Sequence, residues 1–439
     1  MSSEWQELSV LDLCKQVFSG GTPKSTVPEF FDGGTIPWVK TKEVNYSSIR
    51  NTENFITELG FLNSSTKIVP VNSIIVAMYG NGDTAGRVAI NKIELVTNQA
   101  CCNLVIDADH GDYRFIYYYL KSQYEKLVGL KNGGAQQNLN SKLIKEYPIL
   151  TPPLWEQKRI GVFLESFDDR ITLLRETNIT LESIAETLFK SWFVDFDPVY
   201  AKAKGFEPEG LEASTAALFP DSFEKTELGL VPRGWQMLSL DAAYEINPKR
   251  KLQKGKVAPY LDMASVGTQG HVVSGVIERE VTSGAKFVNG DTLLARITPC
   301  LENGKSAFVD FLSDDQIGWG STEFIVLRPK APLPAYHGYL LARYSEFREY
   351  AIQSMSGTSG RQRVQNDVLG RYSVVVPSKE VADIFGSIVG SLQQRISAND
   401  KQAKCLTQLR DTLLPRLISG QLRLPEATAA TEKILSEVI

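Results

Sequence analysis

Residues 164–192 read LESFDDRITLLRETNITLESIAETLFKSW. Within them Leu164, Phe167, Ile171, Leu174, Asn178, Leu181, Ala185, Leu188 and Trp192 step alternately by three and four, the seam of a coiled coil. Shifted by 225 positions, Val389, Leu392, Ile396, Asn399, Ala403, Leu406, Arg410, Leu413 and Leu417 repeat the period. Each seam carries one asparagine. Laid antiparallel about a centre near 176 and 401, the two helices place Asn178 opposite Asn399. Ile171, Leu174 and Leu181 then face Leu406, Ala403 and Ile396. An Asn pair in an apolar seam costs stability but fixes register, because any slip strands its amides among hydrocarbon. The plainer alternative, each helix packed on its own domain, does not require so long a heptad. A seam of about 30 residues spans roughly 45 Å, against about 34 Å for a turn of DNA.

The same shift runs outward from the helices. Gly161 matches Gly386, Arg170 and Ile171 match Arg395 and Ile396, and Tyr147 and Pro152 match Tyr372 and Pro377. Upstream the match loosens, with Trp5-Gln6 against Trp235-Gln236 and Ile36-Pro37-Trp38 against Ala258-Pro259-Tyr260. A period this long means a duplicated domain with its connector, for which pseudo-twofold symmetry is the natural packing. Strands are predicted at 73–79, 87–92 and 94–97 in one copy and at 292–297, 306–311 and 323–327 in the other. A helix follows in each, at 113–130 and 336–354. The predicted fold is therefore α+β, two similar globular domains joined by two long antiparallel helices. Its parts are a first domain at 1–152, a helix at 153–195, a linker at 196–230, a second domain at 231–377, a helix at 378–422 and a tail at 423–439.

Composition bounds the rest. With 439 residues, 43% hydrophobic and 22% charged, the chain is globular and long enough for several domains. The start is polar and no apolar run is long enough to span a bilayer, so a cytoplasmic, non-membrane protein is expected. Five cysteines without a CxxC pair and three scattered histidines write neither a disulfide framework nor a metal site. The net charge of −4 excludes a protein that coats nucleic acid. Residues 151–230 alone hold 8 Lys and Arg against 15 Asp and Glu. Asp195, Asp197, Glu207, Glu209 and Glu212, set among Pro198, Gly205, Pro208 and Gly210, read as a solvated linker. In a DNA-binding chain such a stretch would repel the duplex, and weak binding without basic partners would then be expected.

Enzyme motifs fail on context. Gly80, Gly82 and Ala85 fit a relaxed dinucleotide fingerprint, but β-type residues follow where a helix N-terminus must hold the pyrophosphate. Gly304-Lys305-Ser306 ends like a P-loop, yet Pro299 replaces its first glycine. Glu156-Gln157-Lys158 opens a helix, where Glu suits the positive dipole end. No methyltransferase tetrad, HExxH or nucleophilic triad is present.

Groove reading needs donors and acceptors that reach base edges, and backbone docking needs cations. Lys249, Arg250, Lys251, Lys254 and Lys256 form a basic run without an acid, which is otherwise a solvated loop. The equivalent turns 80–87 and 298–305 carry Asn81, Arg87, Asn303 and Lys305, residues that also suit ordinary β-turns. Gln136, Gln137 and Asn138 match Arg361, Gln362 and Arg363 at the 225 shift. Such an exchange is what two readers of different bases would show, since Gln and Asn suit adenine and Arg suits guanine. Lys24, Lys40 and Lys42 are weaker candidates, and Trp38 reads as core.

PPLWEQKRI at 152–160, FKSWFVDFDPV at 189–199, LLPRLISGQL at 413–422, SGGTPKS at 19–25 and RITPCLENGK at 296–305 together resemble the DNA specificity subunit of type I restriction-modification enzymes. The likeness covers nearly the whole chain; its motifs are specific in combination and weak singly. It implies a non-catalytic subunit whose two target recognition domains each read half of a bipartite site on double-stranded DNA. The helices would separate the domains and dock two modification (methyltransferase) subunits, to which restriction subunits add. No cofactor is expected on this chain, with S-adenosylmethionine, ATP and magnesium expected on the partners. One departure is SKEVADIF at 378–385 where the first copy has PLWEQKRI, so partner contacts there are expected to differ. Two other readings remain at this point, a duplicated adaptor binding proteins only and a self-contained methyltransferase or nuclease.

Overall fold

A computed structural model describes residues 5–80, 83–130, 138–226, 229–358 and 360–438. The chain divides into two compact units, Met1–Thr172 with Lys404–Ile439, and Leu173–Ala403. Each long helix is therefore shared, its residues passing from one unit to the other.

In the first unit, a five-stranded sheet contains Cys14–Ser19, Cys101–Ile106, Ile74–Ala77 and Val88–Asn91 in that order. A smaller sheet sets Ile36–Val39 between Phe55–Ile56, antiparallel, and Val96–Thr97, parallel. The second unit repeats both. Tyr244–Ile246, Phe324–Pro329, Thr292–Ala295 and Ser306–Phe308 lie in the same order. Val257–Leu261 lies between Ile277–Glu280 and Gly318–Gly320, again one antiparallel and one parallel neighbour. Trp38 and Tyr260, aligned from sequence, both sit in the parallel pair, opposite Val96 and Trp319. The central strands are near-continuous apolar runs, IIVA at 74–77 and TLLA at 292–295, and both faces of each are buried.

The strand that opens each domain closes it as well. Gln6–Ser9 pairs antiparallel with Pro148–Thr151, and Gln236–Ser239 with Ser373–Val376. Immediately after each closing strand a proline ends the β-conformation and a 40-residue helix begins, Leu154–Phe193 in one copy and Lys379–Ile418 in the other. At about 1.5 Å per residue each is about 60 Å long, starting nearly three turns before the heptad seam and ending one residue after it. Three residues past the end of the first, Phe196 adopts a left-handed φ of 55° and opens the next helix; two residues past the end of the second stands Gly420, φ 73°, the usual residue for that position.

The antiparallel pairing is present within each unit. In the second, Asn399 Nδ2 donates to Asn178 Oδ1 at 2.8 Å, and Asn178 Nδ2 donates to the Ile396 carbonyl at 3.1 Å. In the first, Arg410 is ion-paired with Asp168. Leu164, Phe167, Ile171, Leu174, Ile396, Asn399, Ala403, Leu406 and Leu413 are buried, while Asn178, Leu181 and Leu392 are half-buried. Buried polar latches hold each domain to its helix segments. Tyr118 donates to Asp168 at 2.6 Å. Tyr339 donates to Glu182, Arg343 pairs with Glu186, and Gln393 donates to Asp310 at 2.6 Å.

Four expectations are corrected. The helix predicted at 113–130 is two, Tyr113–Ser122 and Tyr124–Gly129, with Gln123 at ψ 17° between them. That at 336–354 is likewise two, Ala335–Arg343 and Ser345–Gln353, parted by Tyr344 at ψ 127°. Leu127 and Phe347, one in each second helix, are buried. The segment 196–230 is not a solvated linker. It folds into the helix Asp197–Ala203, a turn at Ala213–Ala216 and the hairpin Phe223–Thr226 with Gly229–Pro232. Val199 and Phe219 enter the core of the second unit, where Phe219 meets Trp192 edge-on at 4.8 Å between ring centres. Its acids Asp197, Glu207, Glu209 and Glu212 stay exposed, which is what the composition registered. The stretch 423–439 contains the helix Leu424–Val438, with Ala427 buried and Arg423 paired to Glu156.

Candidate nucleic-acid interface

In the second unit, the ends of three separate segments meet. The strand Thr292–Ala295 runs out into Arg296, whose carbonyl accepts from Val364 N–H at 2.9 Å. Thr298 N–H donates to Gln362 O at 3.1 Å, Gln362 N–H donates back to Thr298 Oγ1 at 3.2 Å, and Ile297 bridges Arg363. The turn 298–305 and the polar loop 361–363 are thus one surface. The basic run reaches it through a cleft of about 600 Å³, whose lining includes Asn247, Lys249, Lys286, Arg296, Thr322 and Phe324.

The candidates on this surface differ in what they have free. Lys249, Lys251 and Lys254 are exposed in the loop after Tyr244–Ile246. Arg250 is not available, a correction to its reading as a DNA contact. Its guanidinium reaches the fully buried Asp291 at 2.7 Å and the Lys286 carbonyl at 2.9 Å. Asp291 also takes Arg328 at 2.7 Å and the Val288 N–H, so this triad is a structural support under the loop. Lys305 is likewise engaged, its Nζ donating to the Met263 carbonyl at 2.7 Å. Asn303 and Arg361 are exposed.

Arg363 is exposed but clamped two-pronged by Glu323, with contacts at 2.7, 2.9 and 3.1 Å. The shared hydrogen bonds raise the arginine pKa and hold the Glu323 carboxyl below its usual range. The pair sets a guanidinium and a carboxylate side by side on this surface.

The first unit repeats the backbone of this surface with other side chains. Leu139 N–H donates to the Met78 carbonyl at 2.9 Å, the equivalent of Val364 to Arg296. Ala77 N–H donates to Arg87 O as Ala295 N–H donates to Lys305 O, so Arg87 and Lys305 are counterparts. Arg87 is tied to Asp83 of its own turn at 2.6 Å and to Asn45 of a distant segment at 2.8 Å, and the Asp83 bond raises its pKa. As with Arg250, its first duty is structural. Asn138 is half-buried beside the joined strand end, and Lys24 is exposed in the loop after Cys14–Ser19. Asn81, Gln136 and Gln137 lie outside the described residues. Lys40 donates to Asn54 at 2.9 Å over the Trp38 ring, Lys42 pairs with Glu53, and Trp38 is core.

Two residues of the cleft were not singled out from sequence. Lys286 stands alone in its segment, and Arg296 comes 40 positions after the last residue of the basic run. Only the crossing of the two sheets brings them beside Lys249, and no local spacing signals it.

Two like units, each presenting strand-end turns and a polar loop that differ in side chains on a shared backbone, define a protein that discriminates between sequences. Residues 2–183 match the type I restriction modification DNA specificity domain. The chain is 28% identical to the type I restriction enzyme MjaIX specificity subunit of Methanocaldococcus jannaschii, over 96% of this chain and 94% of that one. It is 24% identical to the HindI specificity subunit of Haemophilus influenzae, over 69% and 74%. The type I restriction-modification S subunit from M. genitalium shares the fold, with a TM-score of 0.57 at 19% identity over 94% of this chain and 96% of that chain. Along nearly its whole length this chain is similar to the specificity subunits of type I restriction-modification systems.

Proposed function

We propose that each unit reads one half of a bipartite site on double-stranded DNA, that the paired helices set the number of unread base pairs between the halves, and that the chain docks two modification subunits and, through them, restriction subunits. Catalysis, with its S-adenosylmethionine, ATP and magnesium, then resides on those partners, and the complex works in the cytoplasm. The observation that carries the reading is the shared strand-end and loop junction, Leu139 on Met78 and Val364 on Arg296, around which the side chains change. Sequence discrimination requires that arrangement, a constant frame with variable donors and acceptors.

Docking is supported by apolar residues that the helices leave in water. Trp155 is 59% exposed, Ile179 62% and Ile184 48%, a cost that a partner's apolar face would remove. Among the described residues, no helix is long and apolar enough to cross a membrane.

The test is co-expression with modification subunits followed by mapping of methylated positions across a genome. One motif of two short defined halves around a fixed unread gap is expected. Methylation without a common motif, or at a single continuous motif, refutes the reading.

A further inference from the structure

The two units share a backbone plan, and the cleft beside Arg296 shows where they part. Ile74 opposite Leu104 and Thr292 opposite Leu327 fix equivalent strand registers. Counting on from them puts Met78 where the second unit has Arg296. Val17 opposite Leu104 and Ile246 opposite Leu327 put Gly20 where it has Lys249. Val69 bridged to Leu95 and Phe287 paired with Gly318 put Ile68 where it has Lys286. Glycine, isoleucine and methionine thus stand in for three cations.

In the second unit those cations surround a concave space and are incompletely used. Among the described residues lining the cleft there is no carboxylate. Lys249 is exposed. Lys286 gives two of its three donors to the carbonyls of Arg250 and Leu252, at 3.3 and 3.2 Å. Arg296 donates from Nη2 to Val364 O at 2.7 Å, while its Nε–H is buried without a hydrogen-bond partner. A buried donor on a permanently charged group is expensive to leave unmade. Three cations converging on one open space, with donors to spare, ask for an anion with several acceptor oxygens.

We infer that this cleft seats one backbone phosphate of the DNA, held by Lys249, Lys286 and Arg296, and that the first unit, with Gly20, Ile68 and Met78 at the equivalent positions, lacks these three contacts. The inference rests on the DNA-reading function proposed above and adds to it an inequality. The second unit contributes a sequence-independent anchor, and the first depends more on its base contacts. Since Arg296 also carries the joined loop 361–363 through its carbonyl, the seated phosphate fixes the height at which Arg361 and Arg363 stand over the groove.

The experiment uses the assembled complex and duplexes carrying the mapped site, with affinity measured against salt for wild type, Lys249→Ala, Arg296→Met and the double variant. Lys249 is an exposed loop residue, so its variant tests the seat without disturbing the fold. The double variant is expected to bind roughly tenfold more weakly, by the same factor on specific and unrelated duplexes. Its slope of log affinity on log salt is expected to be shallower by about 0.9, the loss of one phosphate contact. A single neutral methylphosphonate, walked along the half-site of the second unit, is expected to weaken wild type at one position and leave the double variant unaffected there. An unchanged salt slope, or a methylphosphonate penalty that survives in the double variant, overturns the inference. An assembly that prefers no duplex refutes the DNA-reading function instead, and the cleft is then judged by inorganic phosphate alone. Phosphate is expected to shield Lys249 from acetylation in wild type and not in the Arg296→Met chain, and equal labelling of both removes the seat.

Discussion

The Asn399 amide nitrogen donates to the Asn178 amide oxygen, and the Asn178 amide nitrogen donates in turn to the Ile396 carbonyl of the opposite helix. Asn178→Ala leaves the buried Asn399 amide without its acceptor, so urea unfolding is expected to show a loss of about 1–3 kcal/mol. Asn178→Leu with Asn399→Leu is expected to regain most of it while permitting other registers, seen as additional crosslinks along the seam. His337 is a second residue whose environment sets a measurable property. It is buried against Tyr244, Phe189 and Phe193, and burial pushes its pKa from 6.5 down to about 3. The unfolded chain therefore takes a proton below pH 6.5 that the folded chain refuses until about pH 3. Stability is lost as pH falls through that window, by about 1.4 kcal/mol per unit. His337→Phe is expected to flatten the pH dependence of unfolding between pH 6 and 4.5, and an unaltered slope counts against it. At the reading surface, Arg361→Ala with Arg363→Ala is expected to weaken binding to the mapped site by about 1–3 kcal/mol and relax preference at one or two base pairs. Unchanged affinity takes both residues off the surface.

At the scale of elements, the helices were legible because a heptad is a local pattern and a duplication repeats it. Pro152 and Pro377, followed at once by that pattern, located both starts. The central strands were legible as short β-branched runs between turn residues. What escaped depends on partners distant in sequence. Phe219 and Val199 are core only because Trp192 and Trp235 lie beside them, and the acids between them look like a linker in composition. Arg363 looks free in sequence because Glu323, its partner, belongs to another strand end, and Arg250 looks free because Asp291 is 41 residues away. A basic run shows where cations are, whereas the availability of each is a property of tertiary contacts. Position 344 carries no proline or glycine to announce a break, so the division of the second domain's helix was also out of reach.

At the scale of the molecule, helix register and half-site spacing are one quantity under the proposed function. Seven residues inserted into both helices, after Thr172 and before Lys404, preserve the seam and add about 10 Å at 1.5 Å per residue. At about 34 Å per ten base pairs, the unread gap in the methylated motif is expected to lengthen by about three, with both halves unchanged. A motif of unaltered gap would separate spacing from the helices. The pairing of Gln6–Ser9 with Pro148–Thr151, and of Gln236–Ser239 with Ser373–Val376, has a consequence for heredity. Each reader enters and leaves through adjacent strands just ahead of a helix, so its ladder is completed by its own residues. A genetic crossover placed in the helices therefore transfers a reader as an intact cassette, and new target specificities can arise by shuffling whole blocks without repacking either core.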